Sequence, residues 1–176
     1  MLADDINHDL TTRTGFRFHV RRALPQDEPK VAEFFKHVTA EDIRFRFLSG
    51  MKEVSHERLA AMTRSDDRQV SNFLAFAPND TLLAVAMLAS DDGLERGEVA
   101  LSIREDYKRL GISWELLSHI ANYARRHGFK SIESIESREN HAAIELEREM
   151  GFKVMSYPDD PNVVLLRQEF SGSVQQ

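Results

Sequence analysis

The chain of 176 residues contains no cysteine. Disulfides, thiolate metal sites and a cysteine nucleophile are therefore excluded. Long apolar runs are missing too, because no segment approaches the roughly 20 residues that a membrane span needs. The first residues carry no signal-peptide pattern. We therefore expect a cytoplasmic protein that does not associate with membranes.

The sequence also lacks an excess of positive charge. Its 23 lysines and arginines are outnumbered by 29 acidic residues, which gives a net charge of −6. This balance argues against a role in nucleic-acid binding, which normally needs a basic face, and it suits a cationic substrate. The seven histidines form no zincin-like pair, so we predict no metal. The Gly-x-Ser-x-Gly motif of hydrolases is absent as well.

The order of predicted elements indicates a single domain. Residues 1–15 are polar without periodicity and are predicted to be a disordered N-terminal tail, and 171–176 a C-terminal tail. Between them, residues 16–170 alternate short strands with amphipathic helices. A hairpin is predicted around residues 78–80, and a strand over 131–137 follows a helix and is expected to run parallel to its predecessor. The pattern predicts an α/β (α+β) layer fold, with an antiparallel first half and one parallel step.

The most informative stretch is a strand over 98–103, a loop over 108–113 with one glycine, and a helix that begins where the loop ends. The N-terminus of a helix presents unpaired N–H groups and a positive dipole, and these bind phosphate. The strand alternates an apolar face with a small, polar face that begins at Glu98, which leaves room for an extended ligand. A plain turn explains the single glycine equally well.

Two motifs raise the odds of a ligand site. Residues 107–113, Tyr-Lys-Arg-Leu-Gly-Ile-Ser, lie at the positions of a pyrophosphate loop of the form Gln/Arg-x-x-Gly-x-Gly/Ala. A second pattern, Asn-x-x-Ala-x-x-Leu-x-x-x-x-Gly-Phe, is met by Asn140, Ala143, Leu146, Gly151 and Phe152. Over residues 16–170 the sequence thus resembles the GNAT superfamily of acyl-CoA-dependent N-acetyltransferases. Its N-terminal half is similar to the GNAT domain of protein lysine acetyltransferases that modify acyl-CoA synthetases.

The resemblance implies a mixed, mainly antiparallel sheet of six to seven strands flanked by helices. It implies acetyl-CoA as the acyl donor and an amine acceptor, either a small molecule or a protein lysine. Glu98 takes the position of the general base that deprotonates the acceptor. The oligomeric state stays open, with a dimer among the options. The implied acetyl-CoA-binding residues are Leu101, Ser102, Ile103, Lys108, Arg109, Leu110, Gly111, Ile112, Ser113 and Asn140.

Three positions depart from the family pattern. Lys108 replaces the usual glutamine or arginine, Ser113 replaces the second glycine or alanine, and Glu147 stands where many members carry a tyrosine that acts as general acid. These departures keep an alternative open, namely a catalytically weak or inactive GNAT-fold sensor or partner subunit that binds acyl-CoA. Glu98 also has an alternative role, as a strand-edge charge paired with Arg96 or Arg104.

Overall fold

The computed structural model describes residues 7–64 and 67–171. These residues form eight strands and five α-helices in one mixed α/β arrangement. In chain order the elements are β1 (His8–Thr11), β2 (Arg17–Arg22), α1 (Glu28–Phe35), α2 (Ala40–Phe47), α3 (His56–Met62), β3 (Val70–Phe76), β4 (Leu82–Ser90), β5 (Arg96–Ile103), α4 (Ile112–Arg126), β6 (Ser131–Ser137), α5 (His141–Glu149), β7 (Lys153–Ser156) and β8 (Val163–Glu169). No helix of the described residues is long and apolar enough to cross a membrane.

All strands lie in one sheet, in the order β1-β2-β3-β4-β5-β6-β8-β7. Every neighbouring pair is antiparallel except β5 and β6, which are parallel. The predicted hairpin and the predicted parallel step are both confirmed. The parallel pair arises because α4 crosses over the sheet between the two strands. It is also the feature that creates the candidate site.

The sheet has eight strands rather than the predicted six to seven, and the additional strand corrects part of the predicted tail. Strand β1 lies within residues 1–15 and pairs with β2, with His8 opposite Val20 and Thr11 opposite Arg17. Because this edge strand contains four residues and a single large apolar one, Leu10, its sequence carries no strand periodicity. Its structure depends on pairing with β2. Residues 1–6 and 172–176 of the two predicted tails lie outside the described residues.

Each face of the sheet carries its own hydrophobic core. One core joins the sheet to α4 and includes Phe73, Leu116 and Ile120. The other joins the opposite face to α1, α2 and α3, and includes Phe34 and Leu74. Consecutive residues of β3 point to opposite faces, so Phe73 and Leu74 belong to different cores. The two cores fix α2 on one side of β5 and α4 on the other.

Candidate active site

The candidate site is a cavity of about 490 Å³ at the parallel step of the sheet. Residues of α2, β5, β6, the start of α4 and α5 line it. All of the sequence-predicted site residues lie in its wall except Leu110. Leu110 instead packs against the core on the α4 side, and its carbonyl accepts a hydrogen bond of 3.4 Å from the Thr14 hydroxyl.

One end of the cavity is the loop over residues 108–113. Arg109 and Gly111 both have left-handed backbone conformations, with φ of 67° and 85°. Helix α4 begins directly afterwards at Ile112, with Gly111 at its N-cap position. Because glycine has no side chain, it cannot accept a hydrogen bond from the first N–H groups of the helix. Those groups are therefore available to an anion at the positive end of the helix dipole.

Lysine 108 adds charge to this end of the cavity, but it already has a partner. Its Nζ lies 2.6 Å from Oδ2 of Asp42 on α2. The pair connects the loop to the helix that covers the opposite side of the cavity. A phosphate at the loop would compete with Asp42 for the ammonium group.

The middle of the cavity is a gap between β5 and β6. The two strands pair only at Arg96–Ser131, Gly97–Ile132 and Glu98–Glu133, although both continue for several residues beyond. Along this stretch β5 keeps its pairing with β4, and β6 keeps its pairing with β8. The facing edges therefore separate after Glu98. A free strand edge offers N–H and C=O groups that pair with an extended ligand carrying amides.

Glu98 lies at the apex of this gap, where the pairing of β5 and β6 ends. Part of its side chain is exposed to solvent, and part contributes to the cavity wall, where neighbouring residues exclude water from it. The pKa of its carboxyl is raised, first by removal of water, then by the negative charge of Glu133, while Arg46 acts in the opposite direction. A carboxylate with a raised pKa is a stronger base. The geometry thus fits proton abstraction at this point.

The two arginines named as alternative partners of Glu98 contact other carboxylates. Nε of Arg96 lies 3.8 Å from Glu133, and Nε of Arg104 lies 2.8 Å from Asp106. Both arginines that were candidates for a strand-edge pair with Glu98 are engaged by other carboxylates.

Comparisons with known proteins agree with this geometry. A family model described as the acetyltransferase (GNAT) family matches residues 35–152. The chain is 30% identical over 151 residues to an acetyltransferase from Pseudomonas aeruginosa, over 84% of this chain and 81% of that protein. The chain belongs to the GNAT acetyltransferase family. The resemblance inferred from the two motifs is confirmed, and acetyl-CoA is the typical donor of such enzymes.

Solved structures show the same fold. The GNAT domain of PAT from Streptomyces lividans superposes with a TM-score of 0.88, at 20% identity and with coverage of 97% of this chain and 99% of that one. A cAMP-binding acyltransferase from Mycobacterium smegmatis gives a TM-score of 0.62 at 20% identity, covering 96% of this chain and 49% of that chain. The Streptomyces lividans domain is of the type that the N-terminal half of this sequence resembles.

Asn140 lines the cavity of this GNAT protein, but both ends of its amide are engaged. Its Oδ1 accepts a hydrogen bond from the N–H of Ala143 at 3.4 Å, so it caps α5. Its Nδ2 donates to Glu136 at 3.3 Å. A ligand at this position would have to replace or share one of these bonds. Its predicted contact with acetyl-CoA stays a prediction.

Sequence reasoning missed two charged groups of the site, Arg46 and Glu136. Arg46 projects from α2, and the charges of Glu98 and Glu136 both act on it. Burial is the main cause that lowers the Arg46 pKa. Glu136 also lines the cavity, and its partner Glu147 accepts a hydrogen bond from the buried Ser134 hydroxyl. Only Glu147 carried a sequence signal, as a departure from the family pattern.

Among the described residues, no group of three or more His, Cys, Asp or Glu could hold a metal ion.

Proposed function

We propose that the protein moves an acetyl group from acetyl-CoA to a primary amine by direct attack, with Glu98 as the general base. One observation carries the proposal: the gap between β5 and β6 lies in one cavity with the N-terminal end of α4 and the carboxylate of Glu98. A long ligand with phosphates at one end and a reactive group at the other fits this arrangement.

The residues of the cavity divide by their chemistry. The N–H groups of residues 109–113, in the loop that leads into α4 and in its first turn, would hold the pyrophosphate; the Lys108 N–H already donates to Glu105 at 3.3 Å, so Lys108 would contribute its ammonium group. The unpaired edge of β5 over Leu101, Ser102 and Ile103 would pair with the amides of the pantetheine arm. Asn140 faces the same cavity from α5 and would bond that arm from the other side. Acetyl-CoA supplies the activated acetyl group.

The reaction needs a neutral amine. An alkyl ammonium has a pKa near 10.4, so at neutral pH it has no lone pair for attack. Glu98, directly or through a water, takes one proton from it. The amine nitrogen then forms a bond with the carbonyl carbon, and the bond from that carbon to sulfur breaks with its electron pair on sulfur. The nitrogen loses a second proton to give the amide, and the thiolate takes up a proton to give the free thiol. The raised pKa of Glu98 makes the first proton transfer less unfavourable.

The carboxylate of Glu98 favours a cationic acceptor at this point of the cavity. It lies in the cavity wall, where its negative charge attracts an ammonium group before that group is deprotonated. Both a small amine and a protein lysine satisfy this chemistry. The similarity to the GNAT domain of a protein acetyltransferase supports the lysine.

The test measures release of free CoA thiol with a panel of amines and lysine peptides, for the wild type, Glu98→Gln and the control Glu95→Gln. Glu95 is exposed and forms an ion pair with Lys130 at 2.8 Å, outside the cavity wall. We expect Glu98→Gln to lose about 10²- to 10⁴-fold in kcat while acetyl-CoA affinity stays unchanged. The control should retain wild-type rates.

Each other outcome contradicts a specific part of the proposal. Equal rates for wild type and Glu98→Gln would remove Glu98 as the base. Acetyl-CoA binding without transfer to any amine would favour the alternative of an acyl-CoA-binding sensor or partner subunit. Failure of acetyl-CoA at millimolar concentration to raise the melting temperature would refute both.

A further inference from the structure

Two arginines from different helices share the aromatic ring of Phe47. Cζ of Arg46, on α2, and Cζ of Arg58, on α3, each lie 5.0 Å from the centre of that ring. The two guanidinium groups are therefore within twice that distance of each other. Phe47 itself packs against the core that joins α1, α2 and α3 to the sheet, and its ring lies 5.9 Å from the ring of Phe35. The fold thus holds two positive charges close together.

No carboxylate of the described residues pairs with either charge. The side chains of Arg46 and Arg58 form no hydrogen bond and no ion pair within the part of the chain that the structure describes, and the ring of Phe47 is their shared contact. By contrast, Arg44 on the same helix as Arg46 pairs with Glu139 at 3.2 Å. Guanidinium groups stay charged in proteins, and like charges repel. On a protein with a net charge of −6, an uncompensated pair of arginines indicates that an anion from outside the chain completes it.

The pKa of Arg46 reflects the same imbalance. Burial lowers the pKa of its guanidinium most, and the charge of Arg58 lowers it as well, while the carboxylates of Glu98 and Glu136 act in the opposite direction. The shift remains downward, so these carboxylates do not offset burial and Arg58 together. A bound anion beside Arg46 would favour its charged form.

Arg46 and the proposed base lie on the same side of the sheet. Both line the cavity, and Arg46 is half-buried. Val99 packs into the core on the α4 side, and consecutive residues of a strand point to opposite faces. The side chain of Glu98 therefore points to the face that α2 covers. This part of the cavity has a carboxylate on the strand and a guanidinium on the helix, and the exposed side chain of Arg58 adds a second guanidinium next to Arg46.

We propose that the acceptor is an amine that also carries a carboxylate, and that Arg46 and Arg58 bind this carboxylate while Glu98 receives the ammonium group. The assignment rests on the proposed function of the cavity and names the acceptor class of that site. The two opposite charges of such an acceptor would meet the two opposite charges of the wall. Guanidinium groups suit this role because their planar array of N–H donors matches the two oxygens of a carboxylate. A diamine would leave both arginines uncompensated.

Two kinds of molecule carry the required pair of charges. In a free amino acid, the carboxylate is joined to the reacting amine through one carbon. In a protein, an aspartate or glutamate beside the target lysine supplies it. Matched probes distinguish the two sources: L-amino acids against their α-amides, and lysine peptides with glutamate beside the lysine against the same peptides with glutamine. The members of each pair differ only in the carboxylate.

The test measures kcat and KM for each probe from the release of free CoA thiol. In the wild type, the carboxylate-bearing member of at least one kind of pair should have a kcat/KM about 10- to 100-fold above that of its uncharged counterpart, mainly through KM, since hydrogen bonds to charged groups are of this strength. Arg46→Gln should remove this preference, Arg46→Lys should retain part of it, and Arg58→Gln should weaken it. The control Arg44→Gln changes a guanidinium outside the cavity wall and should behave as the wild type.

The outcomes separate this proposal from the proposed function. Equal kcat/KM within every pair in the wild type would overturn the carboxylate site and leave acetyl transfer to amines intact. A preference that survives in both Arg46→Gln and Arg58→Gln would overturn it as well. Circular dichroism checks the fold of each variant, and Arg58→Gln, which changes an exposed residue, carries the test if Arg46→Gln does not fold.

A wild type that transfers acetyl to no amine would refute the proposed function, and binding then decides on the carboxylate site. Calorimetry with each probe pair in the presence of CoA supplies this readout without turnover. Tighter binding of the carboxylate-bearing member, lost in Arg46→Gln, would support the site. Equal binding of both members would overturn it.

Discussion

Replacing Gly111 by alanine tests whether the left-handed turn before α4 holds the phosphate end of the ligand. An added Cβ would lie 3.4 Å from Cβ of Thr12, an ordinary contact, while φ is +85°. The cost therefore comes from the backbone and not from a collision. An L residue in this conformation costs about 1–2 kcal/mol.

Gly128 offers a matched control at the other end of the same helix. Its φ is +86°, and an added Cβ would meet no atom within 4 Å. Two hydrogen bonds fix the backbone around Gly128. Its N–H donates to the carbonyl of Arg125 at 3.2 Å, and the N–H of Phe129 donates to the carbonyl of Ala124 at 3.0 Å. A change of backbone conformation at residue 128 would break these bonds. The Gly128→Ala variant should therefore keep the strained left-handed conformation, and its free energy of unfolding should fall by about 1–2 kcal/mol. That corresponds to roughly 2–8 °C in Tm.

The two variants should therefore differ in their effect on binding. Gly111 has its left-handed conformation without a ligand, and its carbonyl accepts a hydrogen bond from Glu115 at 3.3 Å, so Gly111→Ala should also lower Tm. Its Kd for acetyl-CoA, measured by calorimetry, should rise about 5- to 30-fold, because a shift of this turn displaces the N–H groups that follow it. Gly128→Ala should lower Tm and keep the wild-type Kd. An unchanged Kd in Gly111→Ala, or a raised Kd in Gly128→Ala, would refute the assignment of this loop to the phosphates.

Three further substitutions probe the frame of the site. The guanidinium of Arg21 donates hydrogen bonds of 2.7 and 2.9 Å to Asp27 and holds the pKa of the Asp27 carboxyl below its ordinary value. The stabilisation of the fold by this pair is complete above the pKa of about 3.9 that the carboxyl has in the unfolded chain. It is lost as the pH falls through the lower pKa of the folded state. Asp27→Asn should thus lose about 1.5–3 kcal/mol in urea unfolding at pH 7, and a deficit that did not shrink below pH 4 would contradict this. Asp42→Asn frees Lys108 from a pair worth up to about 1 kcal/mol and should tighten acetyl-CoA binding up to about fivefold; weaker binding in calorimetry would contradict it. Thr39 accepts from the N–H of Asp42 at 3.0 Å as the cap of α2, so Thr39→Ala should lower the unfolding free energy by about 1 kcal/mol, and an unchanged Tm would count against the cap.

Local sequence patterns were sufficient for most of the fold. Strands and helices with clear periodicity formed as predicted, since each buries a face that its own residues specify. Strand β1 was missed because a short edge strand with one apolar side chain takes its conformation from its neighbour. The loop before α4 and the position of Glu98 in the cavity wall were predictable as well, since both belong to one continuous strand–loop–helix segment.

The family, the parallel step and most of the cavity wall were predictable because they depend on residues close together along the chain. The charges that meet in the cavity were not predictable in this way, since they come from distant segments. Arg46, Glu136 and Glu147 come from three elements, α2, β6 and α5, whose contacts depend on how the helices pack on the two faces of the sheet. At position 147 the sequence alone indicated a missing acid. The fold buries that glutamate in the wall of the cavity, and burial raises the pKa of its carboxyl.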